Sequence, residues 1–204
     1  KTSSAASDVY KRQIHDFATL RTINNMTIVA PADNFEASEV IKQAVSYNQP
    51  LYIRYGKKPM MDIHPPGTEF KIGKSIVVKK GEDLTIVATG ETLQRAYLAS
   101  EILKESNIHC SIISMHTIKP FDKKTFIEFS KNSKAILTVE EHSIFGGLGE
   151  CCASLIAQNN INVKLKILGI PDEYMINGSQ ADVLDHYNMS PEKIAEISKD
   201  LLNK

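Results

Sequence analysis

Short apolar runs alternate with helical patterns along most of this chain. Six runs are rich in β-branched residues and have the length of buried strands: residues 26–30, 51–55, 84–88, 110–115, 135–139 and 163–170. Helical patterns follow at residues 34–45, 90–103, 121–129, 150–156, 179–187 and 191–202. Strands that alternate with helices predict right-handed βαβ crossovers and mostly parallel sheets.

The first helix has a strong start signal. Asp33 is expected to cap it, with Glu36 at the third helical position closing a capping box. An apolar stripe that includes Val40, Ile41 and Val45 is expected to face a core.

A change in pattern divides the chain into two units. Residues 56–83 are rich in turn residues and carry little periodicity, apart from a short strand and possible hairpin partner at residues 74–79. We therefore predict a first unit at residues 14–65, a linker at 66–83 and a second unit at 84–204. The expected fold class is α/β, with two three-layer α/β/α units, mostly parallel sheets and the first unit truncated.

Residues 1–13 are set apart from this organisation. They have neither helical nor strand periodicity and no apolar core of a signal peptide. We expect a non-native leader of the kind left by sequence assembly, with native sequence beginning near Ile14 and continuing upstream. A disordered polar tail is the alternative.

Composition narrows the classes of function. The 24 basic and 24 acidic residues cancel, which gives no reason to expect binding to nucleic acid or to an anionic membrane. No apolar run approaches the roughly 20 residues of a membrane helix. The three cysteines and the widely separated histidines lack the spacing of a disulfide framework or a metal site. A reducing cytoplasm is the expected location.

Two places could carry chemistry. Arg54 ends a predicted strand, where a guanidinium can bind phosphate or carboxylate, and Lys57 in the following turn would add positive charge. A solvated strand-end arginine is the alternative. Residues 139–150 combine two glutamates, His142 and three glycines after another strand. His142 could be an acid/base group or a structural or interface residue, and these glycines lack the spacing of a phosphate loop.

Several motifs together resemble one family. Residues 16–26 (DFATLRTINNM) and 31–33 (PAD) are similar to the later part of the pyrimidine-binding domain of transketolases. Residues 115–122 (MHTIKPFD), 139–149 (VEEHSIFGGLG) and 169–172 (GIPD) look like the C-terminal transketolase domain. Deoxyxylulose-phosphate synthases and the β subunits of 2-oxoacid dehydrogenases share this pair of domains.

The resemblance implies part of an enzyme that transfers a two-carbon ketol unit between sugar phosphates. It implies thiamine diphosphate and a divalent metal such as Mg²⁺, bound mainly by parts that this chain lacks, and no catalytic residue here. Arg54 would bind the substrate phosphate, with Lys57 beside it. His142, Gly146 and Gly147 would lie at a subunit interface, in a homodimer or in a heterotetramer with a thiamine diphosphate-binding N-terminal subunit.

The resemblance leaves other functions open. A deoxyxylulose-phosphate synthase-like enzyme or the β subunit of a 2-oxoacid dehydrogenase would have the same fold, and so would a non-catalytic interaction subunit. The chain alone is expected to be inactive.

Overall fold

The computed structural model describes residues 14–56 and 60–203. The predictions for residues 1–13 and for Lys57 lie outside the described residues. The strands are β1 (Thr27–Val29), β2 (Leu51–Ile53), β3 (Ile76–Lys79), β4 (Leu84–Ala88), β5 (Cys110–Ser114), β6 (Thr117–Lys119), β7 (Ala135–Ser143) and β8 (Lys164–Ile170). The helices are α1 (Asp16–Arg21), α2 (Asn34–Ala44), α3 (Thr92–Glu105), α4 (Lys123–Asn132), α5 (Leu148–Gln158), α6 (Gln180–His186) and α7 (Pro191–Asn203).

The strands form two mixed sheets, which confirms the predicted fold class. The smaller sheet has the order β2-β1-β6 and the larger sheet the order β3-β5-β4-β7-β8. Across the described ranges, four of the six strand pairings are parallel. Both antiparallel pairings are at the sheet edges, where β6 joins β1 and β3 joins β5.

The larger sheet is covered on both faces. Helices α3, α6 and α7 pack on one side around Leu93, Leu184 and Ile194. Helices α4 and α5 pack on the other around Phe126 and Cys152. Because β4 lies in the middle of this sheet, all five of its residues are buried, which explains its uninterrupted apolar pattern.

Strand β3 lies in the stretch that we expected to be a linker. Its partner is β5 and not the next strand along the chain, so the suggested hairpin is wrong. The domain limits themselves stay a prediction. Among the described residues, no helix has both the length and the apolar character needed to cross a membrane.

Helix α2 departs from the predicted stripe. Val40 is buried against Val29 and Phe70, but Ile41 and Val45 are 51% and 87% exposed. The smaller sheet has three short strands and covers one side of the helix. The apolar stripe is wider than that side, so part of it faces solvent. The expectation that the whole stripe faces a core is therefore wrong.

At the start of α2, the predicted cap is present but the predicted capping box is not. Asp33 caps the helix, because its Oδ1 accepts from the Glu36 amide at 2.9 Å. Glu36 does not close the capping box. Its carboxylate points inward and accepts from the Ala32 amide at 2.7 Å and from the Ser114 hydroxyl on β5 at 2.6 Å. Glu36 thus connects the smaller sheet to the larger one.

His64 completes a buried charge cluster at this connection. Its Nδ1 lies 2.6 Å from Asp33 Oδ2 and its Nε2 lies 3.2 Å from Glu36 Oε1, with all three side chains inaccessible to solvent. Burial acts to lower the pKa of His64, but the two carboxylates outweigh it and raise the pKa from 6.5 to about 9. Burial likewise acts to raise the pKa of Asp33, and its hydrogen bonds lower it to about 2.

This cluster predicts a loss of stability in mild alkali. Because the folded-state pKa of His64 is raised, its contribution is complete below pH 6.5 and is lost as the pH rises to about 9. The loss should be on the order of 2 kcal/mol in the free energy of unfolding. Urea titrations at pH 6 and pH 9 measure it.

His64→Gln should remove this part of the pH dependence. His109→Gln, at an exposed histidine, is the control and should keep it. If wild type and His64→Gln lose the same free energy of unfolding between pH 6 and pH 9, His64 is not the source of this pH dependence.

Candidate functional site

Arg54 lies where the two sheets meet. It follows β2 directly, and its amide donates to the Val29 carbonyl at 2.9 Å, which continues the parallel pairing with β1. Its Nη1 lies 3.2 Å from Asp16 Oδ1 on α1. Its Nη2 donates to the backbone carbonyl of Glu141 on β7 and lies 3.4 Å from Glu141 Oε2. One side chain therefore joins α1, β2 and β7.

Both carboxylates around Arg54 have a further partner. Tyr52, two residues earlier on β2, donates its hydroxyl to Asp16 Oδ2 at 2.8 Å. Burial and this carboxylate raise the pKa of Tyr52 to about 12. Gln180, the first residue of α6, donates to Glu141 Oε2 at 2.8 Å. The site is thus a polar network at an edge that remains partly open, since the Arg54 side chain is 21% exposed.

An aromatic layer lies beside this network. The Arg54 Cζ is 4.8 Å from the ring centre of Phe17, which is buried. The Phe17 ring stacks on His142 with centroids 5.0 Å apart and an interplanar angle of 12°. A guanidinium held on an aromatic face keeps its plane fixed, so Phe17 orients Arg54 as well as filling the core.

His142 is held as a neutral ring. Its Nε2 accepts from the Ala18 amide at 3.3 Å, and its Nδ1 donates to the Ser143 carbonyl at 2.7 Å. Burial lowers its pKa to about 4. Because both ring nitrogens are engaged inside the chain, this geometry favours the structural interpretation of His142 over the acid/base one.

Glu140 caps the helix that follows its own strand. Its Oε2 accepts from the Leu148 amide at 2.6 Å and its Oε1 from the Gly149 amide at 2.8 Å. Burial raises its pKa to about 7 in spite of these bonds. A Cβ at Gly147 would lie 2.0 Å from Glu140 Oε2, so only glycine fits between the carboxylate and the start of α5.

The turn at Gly146 meets α1 directly. Gly146 has a φ of +74°, and a Cβ there would lie 2.4 Å from the Ala18 Cβ. Arg21, the last residue of α1, donates to the carbonyls of Gly146 and Gly147. Together with Phe17 and His142, these contacts dock α1 into the glycine turn after β7.

The structure thus brings Arg54 to the end of β7, next to Phe17, which stacks on His142; Gly146 and Gly147 lie in the turn that follows this strand. Those three residues form an interface inside the chain, between α1 and the larger sheet. A contact with a partner subunit stays a prediction, as does substrate binding by Arg54 and Lys57.

Sequence reasoning gave no role to Asp16 or Phe17. The helix that bears them has six residues, too few for a periodic signal. The only available signal was their place in a family motif. Strand β7 also runs four residues further than predicted, to Ser143, so Glu141 and His142 are strand residues whose side chains leave opposite faces.

The described residues do not fit a metal with its diphosphate. Within residues 14–56 and 60–203, no three His, Cys, Asp or Glu side chains are grouped to hold a metal ion. The acidic pair Asp33 and Glu36 is buried and already paired with His64. We therefore derive no step through thiamine diphosphate or Mg²⁺ from these residues.

Comparison with known proteins gives two matching family patterns. The C-terminal domain of transketolase matches residues 73–194, and the pyrimidine-binding domain of transketolase matches residues 11–61. The first match alone covers more than half of the chain.

Three similar proteins extend this result. One subunit of the apulose-4-phosphate transketolase of Phocaeicola vulgatus is 36% identical over 192 residues, which are 94% of this chain and 61% of that protein. The 1-deoxy-D-xylulose-5-phosphate synthase of Dictyoglomus turgidum is 36% identical over 90% of this chain and 30% of its own length. The solved structure "Split gene transketolase, inactive beta4 tetramer" superposes with a TM-score of 0.87 at 28% identity, over 94% of this chain and 62% of that one.

Because Gly146 contacts Ala18, we expect alanine to destabilise the protein more at Gly146 than at Gly67. Gly67 also has a positive φ, of +84°, but no atom lies within 4 Å of its would-be Cβ. Gly67→Ala should lower the free energy of unfolding by about 1 kcal/mol through backbone strain. Gly146→Ala should lower the free energy of unfolding by about 2 kcal/mol more than Gly67→Ala does, because the new methyl group collides with α1.

A double-mutant cycle in urea checks the cause. Ala18→Gly in the Gly146→Ala background should recover part of the loss, whereas in the Gly67→Ala background it should recover nothing. Equal costs for both glycines would show that α1 does not dock into the turn.

Proposed function

This chain belongs to the transketolase family, and we propose that it is the C-terminal section of a thiamine diphosphate-dependent enzyme that transfers a two-carbon ketol unit between sugar phosphates. One observation supports this most directly: 94% of the chain aligns with one subunit of a transketolase, and the alignment covers 61% of that subunit. The proposed partner is a thiamine diphosphate-binding N-terminal subunit, in a heterotetramer, or in a homodimer if both sections form one chain.

The proposed roles divide between the cofactor and this chain. Thiamine diphosphate, with Mg²⁺, would supply the carbanion chemistry from the partner section. Arg54 would bind the substrate phosphate through its guanidinium, and Lys57 would add positive charge. Phe17 and Asp16 would hold the guanidinium in place, since both contact it. His142 would support Phe17 without exchanging protons with the substrate.

A deoxyxylulose-phosphate synthase-like activity is the second candidate. It is favoured by one observation, the 36% identity to such an enzyme over 185 residues. The two candidates differ in the donor: a ketose phosphate for ketol transfer, and a 2-oxoacid for the synthase type of reaction.

Activity should require both sections. We expect no turnover from this chain alone and ketol transfer when it is combined with a thiamine diphosphate-binding N-terminal section, thiamine diphosphate and Mg²⁺. A screen of ketose phosphates against 2-oxoacids, read by chromatography of the products, measures this. A stable complex that turns over only 2-oxoacids would favour the second candidate, and one that turns over neither donor would contradict both.

Arg54→Lys should weaken binding of phosphorylated substrates in that complex. Lysine keeps the charge but loses the planar, bidentate geometry, so KM should rise about tenfold with a smaller change in kcat. Arg95→Lys is the matched control, because Arg95 is similarly buried and paired with Asp185 away from this site. An unchanged KM in Arg54→Lys would remove Arg54 from the substrate site.

A further inference from the structure

The charges close to Arg54 oppose the binding of an anion. One guanidinium is shared by the carboxylates of Asp16 and Glu141. His142 is neutral, and the raised pKa of Tyr52 keeps its phenol neutral as well. These five side chains together therefore carry one net negative charge. A phosphate group that approaches Arg54 meets the Asp16 carboxylate, which already accepts from Nη1, and the Glu141 carboxylate, which lies 3.4 Å from Nη2.

The two carboxylates are held differently. Asp16 is the closer one, with its Oδ1 3.2 Å from Nη1, and its Oδ2 accepts a hydrogen bond from the Tyr52 hydroxyl. The Glu141 carboxylate lies 3.4 Å from Nη2 and has a second donor of its own in Gln180. It can leave Arg54 and still keep a hydrogen bond. Its ion pair with Arg54 is also the longer of the two, whereas Asp16 accepts a hydrogen bond from Nη1 at 3.2 Å.

The guanidinium does not depend on the Glu141 side chain for its position. Nη2 also donates to the backbone carbonyl of Glu141, and the Phe17 ring lies against Cζ. These contacts and the Asp16 pair remain if the Glu141 carboxylate moves away. Nη2 would then be open to an anion at the partly exposed side of the site, through the N–H that does not bond the Glu141 carbonyl.

From this geometry we propose that Glu141 sets the anion affinity of Arg54, because its carboxylate competes with a bound phosphate group for the guanidinium. This inference rests on the proposed function, in which Arg54 binds a phosphate. The ligand class is a phosphate monoester or its inorganic equivalent. Glu141 is thus a specificity-determining residue contributed by the larger sheet to a site on the smaller one.

The competition also connects binding to the arrangement of the two sheets. Glu141 lies on β7 and its second donor Gln180 begins α6, whereas Arg54 follows β2. Binding of phosphate replaces one of the ion pairs between the sheets. The remaining backbone contact to Glu141 keeps the two sheets in register while the ligand is bound.

Titration of the full chain with inorganic phosphate tests the proposal. Isothermal calorimetry at constant ionic strength compares wild type with Glu141→Gln, and chloride serves as the competing simple anion. Removal of one negative charge next to the anion should tighten phosphate binding about tenfold. Glu150→Gln is the matched control, since it removes one charge from an exposed glutamate nearby that bonds the Gly146 amide and not Arg54.

Further variants keep the result interpretable. Glu141→Ala retains the backbone carbonyl and should also tighten binding if Glu141→Gln is poorly folded. Adding Arg54→Lys to Glu141→Gln should remove most of the gain. Equal gains in Glu141→Gln and Glu150→Gln would reveal only a general charge effect and overturn the proposal.

Failure of this inference differs from failure of the proposed function. If Arg54→Lys weakens phosphate binding but Glu141→Gln leaves it unchanged, Arg54 still binds phosphate and the competition is refuted. If neither wild type nor Glu141→Gln binds phosphate, the competition is also refuted, while ketol transfer by the complete complex still decides the function.

Discussion

The docking of α1 into the turn after β7 is the contact on which the other features depend. Phe17 enters the core beside His142, and Ala18 donates its amide to that ring. Gly146 leaves the space that the helix occupies. Since α1 precedes β1 and the turn follows β7, this contact joins the smaller sheet to the larger one. It also defines where Arg54, at the end of β2, meets the strand that carries Glu141.

Buried charged and polar groups lie at two places between the sheets. Burial keeps His142 neutral and allows its ring to serve as packing and as a hydrogen-bond acceptor. At the far side of the same junction, Asp33 and Glu36 surround His64, and their charges keep it protonated. Buried charges are tolerated only when paired. The connections at Arg54 and at His64 therefore pair their buried charges. In our proposal, a ligand replaces part of the partly exposed pairing at Arg54.

The sequence predicted the regular elements well and the junction poorly. Strand β4 begins and ends as expected, because a strand buried on both faces is a continuous apolar run. Glu36 had the position of a capping-box residue, but its partners Ala32 and Ser114 depend on the tertiary fold. His64 and Asp33 are 31 positions apart in the sequence, and no local sequence pattern predicts a contact over that separation. Arg54 was singled out because ligands bind at strand ends in α/β sheets, and this role stays a prediction. Its carboxylate partners come from other elements, which no local pattern indicates.

We infer that α1 makes the two sheets one cooperative structure. Amide hydrogen exchange measured along a urea titration tests it most directly, because it follows each strand separately. We expect β1 of the smaller sheet and β4 of the larger sheet to lose protection at the same urea concentration, with the same free energy of opening. Loss of protection in β1 and α1 at clearly lower urea, while β4 and β7 stay protected, would contradict it.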